Sequence, residues 1–85
     1  MTMKEKLERA LKTPDTVYQF WEMWVEHLPP HPTIKKRPVL GRLIDYRDGV
    51  LNIDTGSNVE KLQLEDLMDI CLPDGKPMTQ TVPLI

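Results

Sequence analysis

The sequence predicts a single α+β domain, an N-terminal helical hairpin packed on a four- to five-stranded antiparallel sheet that curls toward a small barrel. Three observations carry this. Residues 40–72 hold short alternating apolar runs parted by tight turns at Asp48-Gly49, Thr55-Gly56-Ser57-Asn58 and Glu65-Asp66-Leu67. Residues 3–28 place apolar side chains at helical spacing. Pro29, Pro30 and Pro32 divide the two regions. A chain of 85 residues makes one domain. It buries only about 60–65 % of the surface its unfolded form exposes, which leaves little room for a deep substrate cleft.

The first helix starts at Thr2, whose hydroxyl and the side chain of Glu5 can form a capping box. Met3, Leu7, Ala10 and Leu11 supply its apolar stripe, and Lys4/Glu8, Glu5/Arg9 and Glu8/Lys12 can pair along the wet face. So short a helix does not hold alone in water and must dock. Thr13-Pro14-Asp15 reads as a second start: an N-cap, a proline in the first turn, and an acid at the positive end of the helix dipole. The second helix is expected over Thr16–Leu28. Val17, Trp21, Trp24, Val25 and Leu28 form its stripe, and Tyr18, Phe20 and Met23 widen it. Residues 1–28 are thus the helical part, and residues 29–33 a stiff, extended linker.

Residues 34–72 are expected to form the sheet. Ile34–Arg47 is long for one strand, and Pro38 suits an edge or a strand start. Leu40, Ile44 and Tyr46 point one way and Leu43 with Gly41 the other, with Gly41 at a bend or bulge. Asp48-Gly49 is a two-residue hairpin turn, which needs positive φ at both positions. Leu51 with Ile53, Leu62 with Leu64, and Met68, Ile70 and Leu72 are the inward residues of the following strands. Pro73-Asp74-Gly75 ends the last strand. Residues 73–85 read as a tail, with Met78–Ile85 either a short docked piece or one more edge strand.

The chain is 40 % apolar and 28 % charged, ordinary for a soluble globular domain. No apolar run approaches the roughly 20 residues of a membrane helix, and Met1–Lys12 lacks a signal-peptide core. One cysteine, Cys71, makes no internal disulfide and fits a reducing, cytoplasmic setting. The net charge of −2 is unevenly placed. Residues 35–47 carry Lys35, Lys36, Arg37, Arg42 and Arg47 against Asp45 alone. Residues 48–74 carry Asp48, Asp54, Glu60, Glu65, Asp66, Asp69 and Asp74 against Lys61 alone. Cross-strand pairing on a wet sheet face is the plain account. A bipolar surface that selects a charged partner is the sharper one.

The stretch GRLIDYRDGVLNIDTGSNVEKLQLEDLMDIC, Gly41–Cys71, has a recognisable cadence. It runs from a glycine in an early strand to Leu51 with Ile53, Leu62 with Leu64, the turn Glu65-Asp66-Leu67, and Asp69-Ile70. It resembles the C-terminal half of YolD-like proteins, and Src-homology and Sm-like small barrels share the pattern. The resemblance covers little over a third of the chain. It implies a bacterial or phage accessory protein without catalysis, with a link to DNA-damage functions.

Reactive constellations are few. His27 and His31 are four apart, a spacing that suits a metal on a helix, but Pro29 and Pro30 intervene and no nearby cysteine or carboxylate completes a set. They read as surface histidines, and no metal or cofactor is expected. Cys71 with a distant histidine could act as nucleophile and base, but a lone cysteine in an alternating strand reads as a packed side chain. Asp45, Asp48, Asp54, Glu65 and Asp66 could be paired carboxylates, yet Asp48 has a turn role and Glu65-Asp66 sits at a helical turn, so a structural account is preferred. The chain is therefore read as non-catalytic.

A binding function remains. Tyr18, Phe20, Trp21 and Trp24 hold four of the chain's five aromatics. Their helix either lids the sheet or leaves an exposed anchor, since aromatics dominate interface hot spots. With Asp48, Glu65 and Asp66 they form the candidate surface for a protein partner. The outlying side of the helix could also meet a second copy, making a homo-oligomer. The alternative is a nucleic-acid-binding barrel that uses Lys35, Lys36, Arg37, Arg42 and Arg47. The sequence pI near 5.6 weighs against it, as does Tyr46 being the one aromatic of that region.

Overall fold

A computed structural model describes residues 1–78. Thr2 Oγ1 accepts from the Glu5 N–H at 3.2 Å and Glu5 Oε1 accepts from the Thr2 N–H at 2.9 Å. This capping box starts α1, Met3–Lys12, as the sequence predicts. Thr13, however, ends that helix instead of opening another. Its hydroxyl donates to the Arg9 carbonyl at 2.7 Å, and the chain turns through Pro14–Thr16.

The second predicted helix is absent. Tyr18–Glu26 is strand β1, paired residue for residue with β2, Thr33–Arg47, from Tyr18 opposite Gly41 to Glu26 opposite Thr33. The physical reason lies in the residues. Aromatic, β-branched and long polar side chains alternate through Tyr18–Glu26 and favour a pleated surface. With apolar groups on both faces, the same run also satisfies a helical stripe. Its partner is the first part of β2, residues 33–41, so the prolines at 29–32 sit in a hairpin loop and not in a stiff, extended linker.

The other strands follow prediction: β3 is Val50–Asp54, β4 is Val59–Gln63, and β5 is Leu67–Cys71. Asp48 (φ 51°) and Gly49 (φ 77°) turn the β2–β3 hairpin with the positive φ that such turns require. All pairings are antiparallel, in the order β4-β3-β2-β1-β5. The strands β4 and β5 are the two edges of the open sheet. In sequence, only the 3-10 turn Leu64–Asp66 separates them. So short a link keeps the end of β4 close to the start of β5, but the sheet is open, and the closure toward a barrel that the sequence suggests is not seen among the described residues.

The core is Tyr18, Phe20, Val39, Leu43, Leu51, Ile53, Leu62 and Ile70, joined by Leu7 and Ala10 of α1 and by Met78. Gly41 permits the close approach of β3, because a Cβ there would collide with the Asp54 carbonyl oxygen and stand 2.8 Å from Ile53 Cγ2. The bulge falls slightly later, between Leu43 and Asp45. It resets the alternation, so Ile44 is exposed while Tyr46 packs against the core, against the expectation that they share a side. Met68 and Leu72, expected inward, are exposed, and Cys71 is buried instead. Pro77 bridges to Cys71 beside β5. The rest of the predicted tail, 79–85, lies outside the described residues.

Candidate functional site: a two-stranded arm

β5 pairs with β1 only as far as Glu22, and β3 pairs with β2 only from Arg42 onward. Beyond those points β1 and β2 continue together as a two-stranded arm, closed by the loop His27–Pro32. The molecule is accordingly long, 55 × 25 × 23 Å.

The faces of the arm differ. One continues the core face. There Glu22 stands opposite Arg37, Trp24 opposite Lys35, and Glu26 opposite Thr33. Arg37 Nε donates to Glu22 Oε1 at 2.7 Å, Arg37 Nη2 lies 3.7 Å from Glu60 Oε2 of β4, and Lys35 Nζ lies 3.9 Å from Glu26 Oε2. These pairs realise the cross-strand pairing expected of the charges. The other, outer face carries Met23 opposite Lys36 and Val25 opposite Ile34 on the arm itself, and continues onto the sheet with Trp21 opposite Pro38 and Gln19 opposite Leu40, where Asp69 and Cys71 of β5 pair beside Trp21 and Gln19. It is mostly apolar and unpartnered: Met23 is 40 % exposed, Val25 48 %, Ile34 63 % and Leu40 50 %. Trp21 Nε1–H donates to Gln19 Oε1 at 3.0 Å.

The structure divides the predicted surface. Tyr18 and Phe20 are core residues, their rings edge to face at 6.4 Å, and so cannot be surface anchors in this conformation. Trp21 and Trp24 lie on opposite faces of the arm, because three positions on a strand reverse the side that three on a helix would share. Asp48 and Glu65 come together at the far end of β2, lining a shallow recess with Gly49, Gln63 and Leu64, with Asp66 next in the chain. The Leu64 N–H donates to the Gly49 carbonyl at 2.8 Å and ties that end together. The aromatic arm and the acidic end are thus separate places.

The basic residues do not converge either. Lys35 and Arg37 face the glutamates of β1, and Lys36 points to the outer face. Arg42 donates to Asp54 Oδ2 at 2.7 Å, and Arg47 Nε lies 3.8 Å from Asp45 Oδ2. The Gly56 N–H and then Arg42 hold the Asp54 carboxyl below its ordinary value of 3.8. Asp45 also accepts from Asn52 Nδ2 at 2.5 Å.

His27 and His31 sit in the loop at the tip of the arm. Among the described residues no three histidine, cysteine, aspartate or glutamate side chains gather in a way that could hold a metal ion. Cys71 is buried. Burial, and then the charge of Asp69, push its thiol above the ordinary 9.0, opposite to what a nucleophile needs. No described helix is long and apolar enough to cross a membrane.

Sequence reasoning missed Met23, Val25, Ile34, Pro38 and Leu40 as a surface. The available signal was two β-prone runs flanking a proline-rich loop, which is a hairpin pattern. No family model, characterised protein or solved structure matches the chain.

Proposed function

We propose that this chain is a non-catalytic protein-binding module whose contact element is the β1–β2 arm. The observation that carries the reading is the outer face, an apolar strip on a ribbon that projects beyond the core. A two-stranded ribbon alone is only marginally stable in water and gains most from being covered. Exposed contiguous apolar surface of this kind marks interaction sites. An accessory, regulatory or inhibitory role of bacterial or phage type, in a cytoplasmic setting, fits that reading. So does kinship with the small barrels that Gly41–Cys71 resembles, given the strand count and the short turn between the edges.

The nucleic-acid alternative needs free cations on one surface. Four of its five residues, Lys35, Arg37, Arg42 and Arg47, stand within ion-pair distance of a carboxylate. Protein recognition is therefore the reading we adopt. Its test is the paired substitution Val25→Glu and Ile34→Glu in the full chain. Capture of a protein partner by the immobilised chain is expected to be lost while circular dichroism and melting temperature hold. Capture that survives both charges would place the contact elsewhere.

A further inference from the structure

We draw no further inference here: the strongest candidate, the exposed apolar patch of Met23, Val25 and Ile34 on the outer face of the β1–β2 arm, belongs to the surface already proposed for a protein partner, and nothing in the structure shows what covers it.

Discussion

Lys6 Nζ and Asp69 Oδ1 stand 2.5 Å apart, joining α1 to the edge strand β5 across 63 positions of sequence. Asp69 also accepts from the Ile70 N–H at 2.8 Å and from Cys71 Sγ at 3.5 Å. Burial alone would raise its carboxyl, but the Lys6 and Ile70 bonds outweigh burial and hold it below the ordinary 3.8. A helix too short to persist in water is thereby held by one charge-assisted contact and by Leu7 and Ala10 in the core.

Lys6→Met is expected to cost about 1–2 kcal/mol near neutral pH. The sign with pH follows from the lowered carboxyl. Its contribution is present above the unfolded value of 3.8 and fades as pH falls through that value and below. Melting temperatures of the native and Lys6→Met chains should therefore converge in acid. A gap that stays constant down to low pH would assign the cost to the lost lysine stem instead.

Gly41→Ala should destabilise by about 1–3 kcal/mol, the usual range for an overpacked site. The added methyl meets the backbone carbonyl of Asp54, which cannot rotate away as a side chain can. Urea unfolding of this variant reads the effect directly. An unchanged midpoint would mean that β2 and β3 separate more freely than the close approach implies.

Phe20→Ala and Trp24→Ala should part company, although the two residues are near neighbours in sequence. Phe20 is fully buried, and its loss is expected to cost about 3–5 kcal/mol, enough to unfold so small a domain. Trp24 is 38 % exposed on the arm, and its loss should move the melting temperature little. Equal losses would contradict the division into body and arm.

Cys71 should react slowly with iodoacetamide while the chain is folded, because its thiol is buried and pushed upward, first by burial and then by Asp69. Denaturant is expected to raise the rate to that of a free thiol. Fast alkylation of the folded chain would place the β5 edge in solvent.

DNA and RNA are expected to bind negligibly even at low ionic strength, since the cations at 35, 37, 42 and 47 are already engaged. A steep linear fall of log affinity with log salt would reveal several phosphate contacts and reinstate the nucleic-acid alternative.

Legibility followed the range of the signal. The capping box at Thr2 and Glu5, the Asp48-Gly49 turn, the inward Leu51, Ile53, Leu62 and Ile70, and the helical turn before β5 are settled within a few neighbouring residues, and all were readable. Tyr18–Glu26 was misread because a run with apolar groups on both faces satisfies the helical and the strand periodicity alike. That error moved Trp21 and Trp24 onto one face and hid the arm.

By itself, then, the sequence determined some local conformations: where α1 starts, the turn at Asp48-Gly49, and that Leu51, Ile53, Leu62 and Ile70 face inward. Only the tertiary structure decided that Thr33–Arg47 claims Tyr18–Glu26 as its partner, that most of the basic run is neutralised by glutamates and aspartates across the strands, and that an apolar ribbon face is left to solvent. The reason is that backbone pairing between distant segments is chosen by the register of the whole sheet, and no window of neighbouring residues contains it.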